Sequence, residues 1–308
     1  MKTIYLREKE SLPPHLSPSA LAVGFFDGVH KGHQQVILTA QRKASELGVQ
    51  SAVMTFDPHP SVVLNRSVEK AKYITPLKEK EQIIENLGID TLFVVHFDRQ
   101  LASLPPEDFV ESYFISLNVR HVAAGFDFTF GFKGKGTMHL LPEYAQGRFT
   151  TSTIEQVSDE GEKISSTRIR RLLDEGNVSA AGQLLSRPLT ITGEVVTGDR
   201  RGHTIGYPTA NISLNHEYYL PKNGVYAVTV NVGNELYKGM ANLGYKPTFN
   251  GNKRTLEIHI FDFHRDIYGN VVRVHFRQFI RSENKFNGVD ELVRQLNDDE
   301  LKTRRLLK

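Results

Sequence analysis

The chain contains no cysteine. That absence removes disulfide scaffolding, thiolate catalysis and structural zinc of the cysteine type. Long apolar runs are missing as well: no stretch approaches the roughly 18 to 20 consecutive apolar residues that cross a bilayer, so no membrane partner is expected. The opening segment MKTIYLREKESLPPHL lacks the apolar core of a secretion signal, which makes the cytoplasm the expected compartment. A strong charge of one sign is also lacking. The 38 Lys+Arg against 35 Asp+Glu leave +3, too little to mark a polynucleotide-binding surface, so no nucleic-acid partner is expected. A local basic pocket for a small anion would not show in that sum.

What is present is ordinary for a protein with a substantial core: 39% hydrophobic and 24% charged residues, with 24 Gly and 13 Pro for turns. A length of 308 residues is about twice a typical domain of roughly 150, so two domains are expected. No internal repeat is evident.

The two halves are patterned differently. Up to about residue 185, apolar strand runs alternate with helix patterns, the signature of a parallel sheet covered by helices. Ala20 to Phe25 reads as a buried strand, and His33 to Leu47 as a helix with Val36, Ile37, Ala40, Ala44 and Leu47 along one stripe and Gly48 at its end. Ser51 to Phe56 follows as a strand. Thr75-Pro76 predicts a cap with Pro at the first helical position of a helix carrying Ile83, Ile84 and Leu87. Thr91 to Phe97 is a strand, Pro106 to Leu117 a helix, His121 to Gly125 and Thr150 to Val157 strands, and Ser165-Ser166 caps a further helix. From Leu189 onward, short β-rich runs are separated by Gly, Pro and Asn: 189–197, 224–232, 235–243, 255–261 and 271–280. That spacing predicts an antiparallel barrel or sandwich, with a helix from Val289 to Leu307. The boundary is expected near Leu185 to Pro188, since Pro188 disfavours helix in the residue before it.

In the first half, Gly24 closes the first strand and His30 and His33 bracket the turn into the first helix. Ligands of parallel sheets bind at the carboxyl ends of strands, and a helix N-terminus offers unpaired N–H groups to a phosphate. Two imidazoles held there can donate hydrogen bonds as negative charge shifts onto a leaving pyrophosphate. Gly32 between them lets the backbone approach a ligand closely. A bare H-x-G-H is equally compatible with two idle surface histidines; its place between strand and helix favours the ligand. SSTRIR, Ser165 to Arg170, is in isolation an ordinary helix cap, yet its Ser hydroxyl and Arg170 one turn further on also suit a polyphosphate. TFDPHP, Thr55 to Pro60, ends the second strand in a rigid turn. GFDFTFGFKGKG, from Gly125, interleaves aromatic residues with glycine, which suits stacking on a flat heterocycle or simply forms an alternating strand and a loop.

HKGH and SSTRIR resemble the paired signatures of the nucleotidylyltransferase superfamily, and GFFDGVHKGH, DPHP, GFDFTFG and SSTRIR in this order resemble the FMN adenylyltransferase module of bacterial FAD synthetases over about residues 15 to 180. The resemblance implies a Rossmann-like α/β domain over 1–185. It implies catalytic roles for His30, His33, Ser166 and Arg170, nucleotide contacts from Gly24, Phe25, Asp27, Gly32, Asp57 and His59, and flavin contacts from Phe56, Asp127, Phe128 and Phe130.

In the second half, Gly193 to Ile212 reads as a strand followed by a loop in which Gly198, Gly202 and Gly206 permit tight turns whose N–H groups could cradle phosphates. Thr209 and Asn211 carry hard oxygen atoms two residues apart, on one side of an extended chain, where they could help hold Mg²⁺ on a nucleotide. A turn-rich connection between barrel strands needs no ligand and is the plainer alternative. Glu257, flanked by Leu256 and Ile258, is either a solvent-facing strand residue or a base placed to accept a hydroxyl proton.

GDRRGHTIGYPTAN, GVYAV, ANLGYKPTFNG and LEIHIFDFHRDIYG in series resemble the riboflavin kinase domain fused behind the adenylyltransferase in bacterial bifunctional enzymes, over about residues 188 to 280. The resemblance implies a small Greek-key β-barrel over 186–308, Mg·ATP held through Thr209 and Asn211, and Glu257 as the base. His203 and Tyr207 stand where Arg or Lys and Phe are more usual in that pattern. The expected activity is FMN formation from riboflavin and ATP, then FAD formation from FMN and a second ATP. The alternatives are the same scaffold with only one activity, and a flavin-binding regulator without turnover.

Overall fold

The structure, a computed structural model, describes residues 1–7, 16–65, 71–198, 201–214, 217–248 and 251–308. The chain divides into two compact units, Met1–Ser166 and Thr167–Lys308.

The first unit is built on a six-stranded parallel sheet. Its strands are β1 (Lys2–Leu6), β2 (Ser19–Val23), β3 (Gln50–Asp57), β4 (Thr91–His96), β5 (Val119–Gly125) and β8 (Thr150–Ile154), in the order β1-β4-β3-β2-β5-β8. Two small hairpins join it, β6 (Thr129–Phe130) with β7 (Gly136–Thr137) and β9 (Ser158–Asp159) with β10 (Glu162–Lys163). The helices are α1 (Lys31–Leu47), α2 (Pro60–Leu64), α3 (Leu77–Asn86), α4 (Arg99–Ser103), α5 (Pro106–Val110) and α6 (Leu141–Ala145). All five residues of β2 are buried, as a strand covered on both faces requires. Its side chains alternate between two cores: Leu21 and Val23 pack with Ala52 and Met54 on one face, Ala22 with Val53, Val36 and Ile37 on the other.

Several elements differ from expectation. β1 was not expected; it pairs with β4 at the sheet edge and buries Ile4 and Leu6. Leu47 falls off the buried stripe of α1 and is 49% exposed. Pro76, with an extended ψ of 161°, occupies the cap position, so α3 starts at Leu77 and Thr75 lies outside it, its N–H bound to Asp27. Pro106 to Leu117 is not one α-helix: α5 widens into a π-helical turn over Glu111–Ile115.

The second unit opens with most of α7 (Ser166–Glu175), then α8 (Val178–Leu185). Six antiparallel strands follow: β11 (Leu189–Val196), β12 (Ala210–Leu214), β13 (Gly224–Val232), β14 (Glu235–Thr248), β15 (Gly251–Ile260) and β16 (Val271–Arg281). They close in the order β11-β12-β15-β14-β13-β16, β16 pairing back onto β11, so the architecture is a barrel and not a sandwich. The short helix α9 (Arg201–Thr204) precedes β12, and α10 (Val289–Leu306) packs on β13, β14 and β16. Along β15, Leu256, Ile258 and Ile260 are buried while Glu257 and His259 alternate onto the outer face. The strand β12 was read only as the end of a loop; its five residues pair with both β11 and β15.

Candidate active sites

In the parallel sheet, β2 has β3 on one side and β5 on the other. The connections after β2 and β5 therefore leave in opposite directions, and a crevice opens between their carboxyl ends. A cavity of about 360 Å³ lies there, lined by Gly24, Phe25, His30, Gly32 and His33 from one side, by Gly125 to Thr129 from another, and by Ile154 to Val157 with Lys163 to Ser166.

The sequence builds this wall through local caps. The His30 side chain accepts a hydrogen bond from the His33 N–H at 3.2 Å and is the N-cap of α1. Its ring stacks on that of His33, with centroids 3.5 Å apart and planes 18° from parallel. A Cβ on Gly32 would sit 3.2 Å from the His30 ring, so a side chain there would push the ring away. Asp27 lies beneath: its buried carboxylate accepts from the Ile74 and Thr75 N–H groups at 3.3 and 3.1 Å, while its carbonyl accepts from the Ser166 hydroxyl at 2.8 Å. The two distant motifs are thereby joined at one turn.

Other expected contacts stand at different depths. Phe25 lines the cavity and meets His59 edge-on, centroids 4.2 Å apart. His59 caps the following helical turn by accepting from the Ser61 N–H, and neither it nor Asp57 lines the cavity. Asp127 and Phe128 line it; Asp127 pairs with Lys163 at 2.6 Å, and that ammonium lies 4.7 Å from the Phe126 ring centroid. Phe56 and Phe130 do not line it. Phe56 packs against Phe97 and Phe109, and Phe130, 5% exposed, packs against Phe109, Phe114 and Tyr144. Arg170 belongs to the second unit, where its guanidinium lies 5.6 Å from the Tyr219 ring centroid. Sequence reasoning missed Lys80, which is 2% exposed on α3; burial pushes its ammonium down to about 8, against the pull of Asp27 and Asp57.

The second cavity, about 280 Å³, lies on the outer wall of the barrel under α10. Thr209, Met240, Asn242, Glu257 and His259 form its floor; Leu292 and Leu296 come from the helix. Strand register sets the floor. Glu257 on β15 lies opposite Asn211 on β12 and Asn242 on β14, so a carboxylate stands between two carboxamides on one face. Asn242 lies in the ANLGYKPTFNG segment but was assigned no site role, since only pairing brings it beside Glu257.

Thr209 also lines a third cavity of about 570 Å³, with Pro208, Ala210, Phe263, His264 and Tyr268 among its walls. Two of the expected loop glycines are explained by close approach: a Cβ on Gly198 would overlap the Asn211 amide, and one on Gly202 the Tyr207 carbonyl oxygen. Gly206 has φ +83°, the left-handed region. The Tyr207 hydroxyl donates to Asn297 of α10 at 2.7 Å, and burial pushes it up to about 12. The His203 side chain lies outside the described residues.

Fold and cavities define a two-site α/β-plus-barrel protein, an α/β unit with its crevice at the strand ends followed by an antiparallel barrel with a carboxylate beside its own cavity. The sequence model of the FAD synthetase family matches residues 12–168, and that of riboflavin kinase matches 185–307. Proteins named bifunctional riboflavin kinase/FMN adenylyltransferase are 47% identical in Listeria monocytogenes, covering 99% of this chain and 98% of the relative, and 46% identical in Bacillus subtilis, covering 97% and 96%. The chain belongs to this bifunctional family. A crystal structure from Streptococcus pneumoniae, described as a macrolide-efflux protein, is 39% identical with a TM-score of 0.91 and 99% of each chain covered. Among the described residues here, no helix is long and apolar enough to cross a membrane.

Proposed function

We propose that this chain carries out both reactions of its family: ATP-dependent phosphorylation of riboflavin to FMN, then adenylyl transfer from a second ATP to FMN, giving FAD and pyrophosphate. The observation that carries the proposal is that each half has its own cavity with its own motif residues in the wall. We assign residues 1–185 to adenylyl transfer and 186–308 to the kinase. We propose the cytoplasm as the compartment, where ATP for both steps is at hand.

In the kinase, the ribityl 5′-hydroxyl attacks the γ-phosphorus of ATP, its proton passes to Glu257, and ADP leaves. Asn211 and Asn242 stand opposite Glu257 on the two neighbouring strands, so register fixes the position from which the carboxylate accepts that proton. The apolar walls from Met240, Leu292 and Leu296 suit the flavin ring, and the third cavity, which shares Thr209, suits the nucleotide. Gly198, Gly202 and Gly206 shape the loop that carries the phosphates. Thr209 and Asn211 offer two neutral oxygen donors, and the described residues contain no cluster of three or more His, Cys, Asp or Glu. This donor set fits Mg²⁺ arriving on ATP phosphates with one or two protein ligands, not a dedicated cage. Bound there, the ion would offset polyphosphate charge.

In the first half, an FMN phosphate oxygen attacks the α-phosphorus of ATP and the bond to pyrophosphate breaks. No protein nucleophile is needed. His30 and His33 at the α1 N-terminus, with Arg170, stabilise the transition state and the departing pyrophosphate. Ser166 acts from the same wall and ties it to Asp27. Gly24, Phe25 and Gly32 contact the nucleotide, with Asp27 holding their turn through the Ile74 and Thr75 amides and His59 packed on Phe25; Asp127 and Phe128 contact the flavin, Phe128 being stacked on Phe130.

Incubation with riboflavin, ATP and Mg²⁺, followed by chromatographic separation of flavins over time, tests the proposal. FMN should rise first and FAD follow. FMN that never becomes FAD would leave a kinase alone, FAD formed only from added FMN an adenylyltransferase alone, and tight flavin binding without turnover a regulator.

A further inference from the structure

Lys80 lies on the same stripe of α3 as Ile84, both buried. An apolar side chain would fill that place without the cost of taking an ammonium out of water. Its Nζ donates to the Phe25 carbonyl at 2.8 Å and to the Thr55 hydroxyl oxygen at 3.2 Å, and lies 4.5 Å from the Phe25 ring centroid. The Thr55 hydroxyl donates to that same carbonyl at 2.8 Å, so one backbone oxygen receives two donors from two elements.

The carbonyl belongs to the turn between β2 and α1, whose backbone is strained. Phe26 and Val29, neither of them glycine, have φ of +54° and +42°. Such conformations persist only where surroundings hold them in place. The same turn supplies Gly24, Phe25, Phe26 and His30 to the cavity wall, and leads into the stacked histidines.

We infer that Lys80 is a positioning residue for adenylyl transfer: it bolts α3 to the strained turn that presents His30 and His33, and sets a fixed positive charge behind the wall that faces the triphosphate. This rests on the adenylyltransferase reading of the first half. The carboxylates acting on Lys80 are Asp27, from that turn, and Asp57, at the end of β3. Because the ammonium is held down to about 8, raising pH through that range discharges it, weakening its two hydrogen bonds and its field.

Lys80→Met in the full chain provides the test, because methionine fills the same volume without charge or donor. The kcat for FMN to FAD should fall at least about tenfold, with KM for FMN changed less than about threefold. Riboflavin phosphorylation by the same protein should be unchanged. The wild-type transfer rate should fall through a single ionisation near pH 8, absent from the kinase step and from the variant. Lys80→Met with transfer within threefold of wild type overturns the inference, whereas a wild type that makes no FAD at all overturns the underlying reading instead. If the variant fails to fold its first half, the wild-type pH profile decides, and a flat profile from pH 7 to 9 counts against Lys80.

Discussion

In the first unit the candidate residues come from loops at the ends of parallel strands; in the second, Glu257, Asn211 and Asn242 stand on the outer face of three adjacent antiparallel strands, and only Thr209 and the glycines come from the loop before β12. A ladder fixes its side chains by register, and Glu257 cannot leave Asn211 and Asn242 without a slip that turns every neighbour over. A loop has no such constraint. The turn from Gly24 to His30 is held instead by buried polar contacts: Asp27 to the Ile74 and Thr75 amides, Ser166 to Asp27, and Lys80 to Phe25. One site is specified by pairing, the other by bolts from distant parts of the chain.

The largest separation of the halves is expected from Glu257→Gln. Riboflavin phosphorylation should drop about 10²- to 10⁴-fold, the usual contribution of a general base, while FMN to FAD continues at the wild-type rate. Assaying the two steps separately checks this, and equal loss in both would break the comparison. His33→Ala should do the reverse, lowering FAD formation about 10²- to 10³-fold as expected for loss of one transition-state donor. Gly198→Ala sharpens the picture of the second site. Its Cβ displaces the Asn211 amide, so kinase activity should fall about tenfold to a hundredfold and require more Mg²⁺ for half-maximal rate.

Smaller effects test the supports. Tyr207→Phe removes the hydroxyl bonded to Asn297 and should cost about 1 kcal/mol of stability in the second half, read by denaturant unfolding. Acid should act on the barrel through His275, which is lowered to about 4 by burial and by the neighbouring Arg277 and Arg273 charges, and bonds Thr190 and Asn231. Its ordinary value is about 6.5, so its neutral form stabilises the fold fully above that pH, and the contribution is lost as pH falls toward 4. Thermal unfolding of the second half followed between pH 7 and 4.5 should show this loss, and His275→Gln should flatten it.

The legibility of the two sites differed for the same physical reason. HKGH was readable because a helix N-cap and its turn are local, and His30, Gly32 and His33 do meet at one wall. Phe130 and Phe56 were expected at the flavin because aromatic residues near strand ends suit either a ligand or a core; the structure places both in the core. Lys80 carried no expectation: it stands between Glu79 and Glu81 in LKEKEQIIEN, and nothing in those neighbours announces its burial. Asn242, though inside a quoted motif, gained a site role only when β14 paired with β15.

The amino-acid order alone determined the alternation of strands and helices, the change to barrel strands, and the local caps and turns, because periodicity and capping act over a few residues. Only tertiary structure decided that the barrel closes, that its cavity lies outside the wall under α10, and that Lys80 reaches the Phe25 carbonyl. Each of those depends on contacts between segments far apart in the chain, where burial and pairing, not local preference, set the free energy.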